Sequence, residues 1–361
     1  MENKFLKYFL AANSSEGFVS YFDRNYDYND DWRAYIIKGG PGTGKSSFMK
    51  YIVVNAIDKG YTVELCPCSS DPDSLDGVII KEIKTIILDG TSPHEVEPRL
   101  PGVCEEIINL GEFWNDKKLR DNTQKIIDIT NKNKKLHKTA SAYISISGEL
   151  IYDNFLLAQH FTNCQKVKTY AKKFAAGIIP KKNKNVANEW PRFVGGVTPK
   201  GVIAFKKTIE EFYDNVVVID DKYGVASNII MENIRGKALA YGYEIITLKN
   251  PFLPSKIIDH ILIPELSLAV VREYEYMTFD KQYRRVHSRR FTDINVLREH
   301  RSRLTFNRRI ARELLLGAIE TLSKAKLVHD ELEKYYIDAM DFERMTLFAE
   351  EKAKKILLCN Q

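Results

Sequence analysis

The chain has 361 residues, of which 44% are hydrophobic and 28% charged, and its formal net charge is +6. These values are typical of a soluble globular protein, and the length favours two domains over one. The N-terminal apolar run is interrupted by Lys4 and Lys7, and no later segment approaches eighteen uninterrupted apolar residues, so the sequence predicts neither a signal peptide nor a membrane span and indicates a cytoplasmic protein.

The five cysteines form an odd and sparse set, which does not suggest a disulfide framework. Cys66-Pro67-Cys68 is not a C-x-x-C motif, and no second Cys/His pair follows it at the spacing of a zinc site. We therefore expect buried cysteines at a strand end rather than a metal site.

The first predicted elements are two extended runs within Tyr8–Phe22, joined by a turn at Ser14–Gly17. Ala34–Ile37 is a short apolar run that suits a buried strand, and Ser47–Ile57 is predicted to be a helix. Between them, Gly39-Gly40-Pro41-Gly42-Thr43-Gly44-Lys45-Ser46 matches G-x-x-x-x-G-K-[ST]. Strand, glycine-rich loop and helix follow in the order of a phosphate-binding P-loop.

The residue types of this loop suit a nucleotide polyphosphate bound with Mg²⁺. Glycines let the backbone turn so that successive N–H groups point inward, and the helix adds the positive end of its dipole. Lys45 would reach the β- and γ-phosphates, and Ser46 would place its hydroxyl on Mg²⁺. The predicted nucleotide-binding residues are Gly39, Gly40, Pro41, Gly42, Thr43, Gly44, Lys45, Ser46 and Ser47.

Two further strands are predicted at Thr62–Pro67 and Lys84–Asp89. Strands alternating with helices indicate a parallel sheet that places ligands at the carboxyl ends of its strands. An apolar strand ending in Asp is typical of the second carboxylate of an Mg²⁺ site, so Asp89 is predicted to hold a water of the metal shell. The alternative is an ordinary Asp-Gly turn. Gly90 stands where many motor-type ATPases carry a Glu that polarises the attacking water.

Several polar side chains near these strand ends are candidates for the catalytic base or for positioning water. They are Asp71, Asp73, Asp76, His94 and Glu95. Carboxylates after the second strand are where small-molecule kinases of this fold often hold the acceptor hydroxyl, and Asp71 is the candidate catalytic residue beside Lys45 and Asp89. The alternative for all five is solvated loop polarity, with Asp73 or Ser74 as a helix N-cap.

The chain also contains an internal repeat. Phe9 and Gly17 match Phe193 and Gly201, both at a spacing of 184 residues, and the apolar run Val217–Ile219 falls where Tyr35–Ile37 stood. A repeat on this scale implies two similar folded units. We therefore predict two tandem P-loop-like domains with parallel sheets, residues 1–183 and residues 184–361. The tails, residues 122–174 and 294–358, are expected to form helical hairpins against the sheets.

The second copy of the loop is predicted to be degenerate. In the aligned segment Asp221–Asn228, Ser227 replaces the lysine and Asn228 replaces the hydroxyl that would bind Mg²⁺. Asp220 and Asp221 would repel a polyphosphate. Arg272 follows Val270-Val271 at the place of Asp89, so the second half retains no carboxylate there.

The positive charge is concentrated in residues 281–312, whose net charge of +9 leaves −3 for the rest of the chain. The arginines are Arg284, Arg285, Arg289, Arg290, Arg298, Arg301, Arg303, Arg308, Arg309 and Arg312. Three interpretations compete: a solvated face paired with acidic helices such as Asp330–Glu333, a patch that binds phosphate or nucleic acid, and an arginine that reaches the γ-phosphate across the domain interface. Few aromatic residues interleave, which argues against a stacking platform for single strands.

The chain resembles an uncharacterised family of bacterial tandem P-loop ATPases over nearly its whole length. The resemblance is carried by Phe9–Gly17, Gly39–Ser46, Cys68–Asp76, Asp89–His94, Ile107–Trp114 and Phe193–Gly201. It implies ATP binding at Gly39–Ser46. The family's second half can carry a recognisable P-loop, whereas the loop here is degraded, which argues against a two-site mechanism.

The sequence therefore predicts a Mg²⁺-dependent ATP-binding protein, a P-loop ATPase with one active site in the first half and a pseudo-site in the second. One alternative is a small-molecule or nucleotide kinase that uses the carboxylates of Asp71–Asp76. Another is a non-hydrolysing nucleotide switch that binds nucleic acid or an acidic protein through Arg284–Arg312. No membrane partner is predicted.

Overall fold

The computed structural model describes residues 5–92, 95–182 and 187–358. The candidate residue His94, the cysteine at 359 and the predicted domain boundary after residue 183 lie outside these ranges and stay predictions. Within the described ranges, no helix combines the length and the apolar character that crossing a lipid bilayer requires.

Strands and helices are numbered separately in chain order. The strands are β1 (Leu6–Lys7), β2 (Ala11–Ser14), β3 (Gly17–Ser20), β4 (Arg33–Lys38), β5 (Val63–Pro67), β6 (Leu75–Ile80), β7 (Thr85–Asp89), β8 (Glu105–Asn109), β9 (Glu189–Arg192), β10 (Gly195–Thr198), β11 (Gly201–Ala204), β12 (Asn215–Asp220), β13 (Ile245–Lys249), β14 (Ile258–Ile263), β15 (Leu268–Glu273) and β16 (Arg284–His287). The helices are α1 (Lys45–Asp58), α2 (Asp116–Asp121), α3 (Thr123–Phe161), α4 (Cys164–Ile178), α5 (Lys207–Glu210), α6 (Val225–Ala240), α7 (Ile294–Ala339) and α8 (Phe342–Leu358).

The first sheet has six strands in the order β1-β5-β6-β7-β4-β8. The β1–β5, β4–β7 and β4–β8 pairs are parallel, whereas β6 runs antiparallel to both β5 and β7. The sheet is therefore mixed, and the prediction of a parallel sheet is wrong. The strand β6 begins directly after Ser74, so Asp73 and Ser74 do not cap a helix there.

The short connections on either side of β6 account for its direction. β5 ends at Pro67 and β6 begins at Leu75, and one 3-10 turn at Lys81–Ile83 joins β6 to β7. A parallel neighbour would need a crossover of about a dozen residues or more, so these connections make hairpins instead. Every residue of β6 is buried, which is why its apolar residues do not alternate with polar ones.

The second sheet has the same topology as the first. Its order is β16-β12-β15-β14-β13-β9, with β14 antiparallel to both neighbours and the other pairs parallel. Each half also carries a separate hairpin, β2–β3 and β10–β11. The first hairpin confirms the turn predicted at Ser14–Gly17.

The strand that leads to the glycine-rich loop is buried on both faces of the first sheet. Tyr35 and Ile37 of β4 lie in the core formed with α1, whereas Ala34 and Ile36 lie in a second core on the opposite face. Because side chains alternate along a strand, a run apolar at every position suits a central strand. This burial holds the end of β4, and hence the start of the loop, in one position.

The helical tails are exchanged between the two sheets. The long helices α3 and α7 pack along each other. The first-half helix α4 then packs on α6, where Val167 and Phe174 enter the core of the second sheet. In return, α8 packs on α1, where Met345 and Ile356 enter the core of the first sheet. Helices of the tails therefore pack against the sheets as expected, but the long helices α3 and α7 pair with each other instead of forming hairpins with α4 and α8.

The two halves also meet around a buried ion pair. Arg192 at the end of β9 pairs with Glu64 of β5 and donates from Nε to Asn25 Oδ1 at 2.8 Å. Next to this pair, Phe9 and Phe193 exchange backbone hydrogen bonds of 2.8 and 2.9 Å. Arg192 is 1% exposed, so its charge depends on Glu64 for compensation.

We predict that Arg192→Met destabilises the protein by about 3 kcal/mol, because it leaves the buried Glu64 carboxylate without its main partner. The loss should lie at the lower end for a broken buried pair, since Lys81 stays 3.6 Å from the other carboxylate oxygen. Urea denaturation measures the loss. The matched control is Arg303→Met, whose arginine pairs with Asp153 on the surface and should cost less than about 1 kcal/mol. Equal losses in the two variants would contradict the prediction.

Candidate functional site

Lys45 and Asp89 meet at one edge of the first sheet because the strands before them are parallel neighbours. Lys45 begins α1, after the loop that follows β4, and Asp89 ends β7. Lys45 Nζ lies 3.7 Å from Asp89 Oδ2, and each side chain is 12% exposed. Lys45 also donates to the backbone oxygens of Gly40 at 2.7 Å and Gly39 at 3.3 Å.

Two glycines of the loop have a backbone conformation that other residues avoid. Gly42 and Gly44 have φ angles of 69° and 88°, in the left-handed region that glycine enters without steric cost. The loop also contacts helices of the second half, since a Cβ built on Gly40 would lie 2.5 Å from the ring of Tyr336, and one on Gly44 would lie 2.7 Å from Met345. Close packing against Tyr336 of α7 is therefore a sufficient reason for a glycine at position 40, without any bound phosphate.

The carboxyl group of Asp89 lies in a mostly buried environment. Burial raises its pKa above the ordinary value, the nearby charge of Asp76 adds to this effect, and Lys45 and Thr91 oppose it. Asp89 Oδ1 accepts from the backbone N of Thr91 at 2.9 Å and from its Oγ1 at 2.5 Å, which leaves Oδ2 facing Lys45. A cation near Oδ2 would stabilise the ionised form.

The hydroxyl groups of the loop and of the first turn of α1 differ in their contacts. Ser46 Oγ accepts from the backbone N of Leu75 at 3.0 Å, so the side chain still has its proton and a lone pair for another partner. Thr43 is fully buried and donates to the backbone oxygen of Gly40 at 2.9 Å. Ser47 lies in the first turn of α1 with an exposed side chain.

The candidate carboxylates after β5 are in different environments. Asp71 accepts from Ser74 Oγ at 2.8 Å and lies 3.5 Å from Lys326 of α7. Asp73 is exposed and pairs with Lys200, at the tip of the second-half hairpin, at 2.5 Å. Asp76 is 6% exposed at the start of β6, and its charge acts on Asp89. Of the three, Asp76 is the one that electrostatics couples to the Lys45–Asp89 pair, whereas Glu95 is exposed.

The first turn of α1 is not capped by a side chain. Its N-cap residue is Gly44, and among the described residues no side-chain oxygen accepts from the backbone N–H groups of Lys45, Ser46 or Ser47. The first N–H groups of a helix have no partner within the helix. Together with the helix dipole they favour an anion at this position.

The corresponding loop of the second half is shorter, and one of its residues, Asp221, supplies a carboxylate at the helix end. Four residues, Asp221–Gly224, separate β12 from α6, against six between β4 and α1. Gly224 is the N-cap, as Gly44 is in α1, so Val225 occupies the position of Lys45 and the alignment of Ser227 with Lys45 is wrong. Asp221 Oδ2 accepts from the backbone N and Oγ of Ser227 at 2.8 and 3.1 Å. An internal carboxylate therefore accepts from a backbone N–H of the first turn of α6.

Arg272 stands at the end of β15, where the first half has Asp89. Its Nε donates to the backbone oxygen of Asp221 at 2.8 Å, and its two terminal nitrogens donate to Asp259 Oδ1 at 2.8 Å and to the backbone oxygen of Lys222 at 3.0 Å. The guanidinium is 6% exposed. Arg272 therefore holds the short loop in place, and a cationic side chain stands where the first half has the Asp89 carboxylate. The next residue, Glu273, pairs with Arg285.

His260 supports Arg272 from the neighbouring strand. It is fully buried, and its Nδ1 accepts from the backbone N of Arg272 at 3.0 Å. In the part of the chain that the structure describes, its Nε2 has no hydrogen-bond partner. The pKa of His260 is lowered from 6.5 to about 4, mainly because the ring is buried; the charge of Asp259 opposes this shift and that of Arg272 adds to it. Protonation would also put a hydrogen on Nδ1, opposite another donor, so the ring is neutral.

We predict that His260 makes the protein less stable in mild acid. The unfolded chain takes up a proton near pH 6.5 whereas the folded chain does so only near pH 4, so stability falls as the pH is lowered through this window. His260→Gln keeps an acceptor for Arg272 without the titration. The melting temperature of this variant should fall less between pH 7 and about pH 5 than that of the natural protein. His287→Gln, an exposed position, is the control, and a change equal to that of His260→Gln would contradict the assignment.

The Arg-rich segment does not pair with Asp330–Glu333. Among the described residues, its ion pairs are Arg303–Asp153 and Arg285–Glu273. Arg312 and Glu333, whose backbone oxygen faces Gly42, lie about 30 Å apart along α7 at 1.5 Å per residue. This separation excludes the interpretation in which an arginine at this end of α7 reaches the first loop.

Sequence reasoning did not consider the polar group around Asp330, near the C-terminal end of α7, as a metal site. His329, Asp330 and Glu333 have ligand-type atoms within 4.8 Å of one another, at a spacing that puts them on one helical turn. Lys326 pairs with Asp330, so its positive charge already compensates the group. We assign no metal site to it.

Comparison with known proteins gives no match: no family model, no curated protein and no solved structure shows significant similarity to the chain. The resemblance to tandem P-loop ATPases therefore stays a prediction, and the site has to be judged on its own geometry.

Proposed function

We propose that the chain is a Mg²⁺-dependent ATP-binding protein with one nucleotide site, at Gly39–Ser46, and that it is an ATPase. The second half is then a degenerate copy whose loop no longer binds nucleotide in this way. The same strand order in both sheets supports a common origin of the halves.

The observation that carries the proposal is the contrast between two equivalent helix ends. At α6 the carboxylate of Asp221 occupies the helix N-terminus. At α1 the first-turn N–H groups have no side-chain acceptor among the described residues, and Lys45 lies beside them. Two left-handed glycines shape the backbone in front of α1. Such a site favours a bound phosphate chain, because backbone donors, a helix dipole and a lysine act on the same volume.

The residues around Lys45 also suit Mg²⁺ bound with the nucleotide. Ser46 offers a hydroxyl and Asp89 a carboxylate whose raised pKa reflects burial, and oxygen ligands of these types are those that Mg²⁺ prefers. When bound, Mg²⁺ would neutralise charge on the phosphates and so assist phosphoryl transfer. Lys45 would exchange its hydrogen bonds to the backbone oxygens of Gly39 and Gly40 for contacts with the phosphates. The ion pair between Lys45 and Asp89 would weaken, and the Asp89 carboxylate would be able to hold the metal.

One observation favours a kinase as a second candidate. Asp76 is buried at 6% exposure and lies close enough to Asp89 to raise the pKa of its carboxyl. A second carboxylate at this position is able to accept the proton of an acceptor hydroxyl. Turnover of ATP in the presence of a panel of hydroxyl-bearing metabolites distinguishes transfer from hydrolysis, because transfer leaves a phosphorylated metabolite in place of free phosphate.

We predict that Lys45→Ala weakens Mg·ATP binding by about 30- to 1,000-fold, since a charge-assisted contact in a partly dry site contributes about 2–4 kcal/mol. Calorimetry on the full chain measures the affinity. Lys50→Ala, one turn along α1 with an exposed side chain, is the matched control and should bind as the natural protein does. Unchanged affinity in Lys45→Ala would refute the ATP site at this loop.

We predict that Asp89→Asn keeps the fold but reduces the gain in nucleotide affinity that Mg²⁺ provides. Nucleotide affinity in EDTA should barely change, whereas the gain on adding Mg²⁺ should shrink, and turnover should drop by roughly 100-fold or more. In the natural protein this gain should decline as the pH falls through the raised pKa of Asp89. Asp73→Asn, on the exposed loop, is the control. A lower melting temperature with unchanged Mg²⁺ dependence would identify Asp89 as a turn residue.

A further inference from the structure

A cavity of about 740 Å³ lies at a strand end in the second half. It is bounded by the short loop after β12, the end of β15 and the two long helices α3 and α7. Five cationic side chains line it, against the two acidic side chains Glu275 and Glu313. A cavity of this size suits a small molecule, for which the usual range is about 300–1,000 Å³.

The cations that line the cavity are of two kinds. Arg272 is committed to Asp221, Lys222 and Asp259 and supports the loop. Arg308 and Arg312 project from α7 on the opposite wall, and neither forms an ion pair within the described ranges. These two arginines lie one turn apart on the same helix face, so their guanidinium groups converge on one volume.

The positive charges of Lys222 and Arg308 repel each other, and an anion bound between them would reduce this repulsion. Burial lowers the pKa of Lys222, the positive charge of Arg308 adds to this effect, and the carboxylate of Glu275 opposes it. Lys222 Nζ lies 5.6 Å from the centre of the Tyr223 ring, and Tyr274 and Tyr276 add two further rings to the lining. A group with several negative charges would interact with Lys222, Arg308 and Arg312 at once.

We propose that this cavity binds a small molecule that carries two or more phosphate groups, through Arg308, Arg312 and Lys222. Arginine donors suit phosphate oxygens because their planar N–H groups bind two oxygens together. The volume and the concave shape of the cavity favour a small molecule over a nucleic acid, which needs an extended surface. The site differs from a P-loop because Asp221 already occupies the end of α6, and the proposal does not depend on ATP binding in the first half.

Calorimetry with tripolyphosphate and with pyrophosphate, on the full chain carrying Lys45→Ala and without Mg²⁺, tests this proposal. One binding event per chain is expected for tripolyphosphate, and pyrophosphate should bind the same site more weakly. Adding Arg308→Gln with Arg312→Gln should weaken the binding by at least about ten-fold, since two charge-assisted contacts are lost.

The matched control is Arg298→Gln with Arg301→Gln, which removes the same charge from exposed positions of the same helix and should change the affinity by less than about two-fold. Because the substituted side chains are exposed, each variant should fold, and its melting temperature checks that it does. Absence of tripolyphosphate binding, or equal losses in the two double variants, would overturn the proposal. The second outcome would identify a diffuse basic surface of the kind that binds nucleic acid.

Discussion

The antiparallel packing of α3 on α7 is the constraint on which the rest of the structure depends. Ser147 donates to the backbone oxygen of Ala311, and Asn154 donates to that of Leu304, so one helix rises as the other descends. Each long helix therefore ends beside the sheet of the opposite half. The helices α4 and α8 begin within three residues of the ends of α3 and α7, so they cover the sheet that lies there. Loss of the α3–α7 contact would uncover both cores at once.

This exchange also decides which side chains surround each loop. The first loop lies under the last turns of α7, where Tyr336 packs against Gly40 and Lys326 reaches Asp71. The second loop lies opposite the N-terminal half of the same helix, which carries Arg308 and Arg312. A single helix thus borders both strand ends, about 30 Å apart. The two loops are therefore joined by one continuous helix.

Part of the site was predictable because its signal is local. A glycine-rich loop between a buried strand and a helix needs only neighbouring residues, and Asp89 follows from an apolar run that ends in a carboxylate. The strand β6 was missed because its run, Leu75–Ile80, contains Asp76 and Gly77 and lies in a segment otherwise rich in turn residues. The counterpart of Lys45 was misaligned because the second loop is two residues shorter, which residue spacing alone does not reveal when the flanking strands match.

The sequence by itself determined several local elements: the loop at Gly39–Ser46, the strand and helix on either side of it, and the opening hairpins. Short-range backbone preferences and hydrophobic periodicity specify these features. Only the tertiary structure decided that Lys45 meets Asp89, that Asp221 caps α6, and that each tail covers the other sheet. Those contacts join residues far apart in the chain, and strand pairing and helix packing across the whole molecule select them. No local pattern encodes which of two similar sheets a helix will cover.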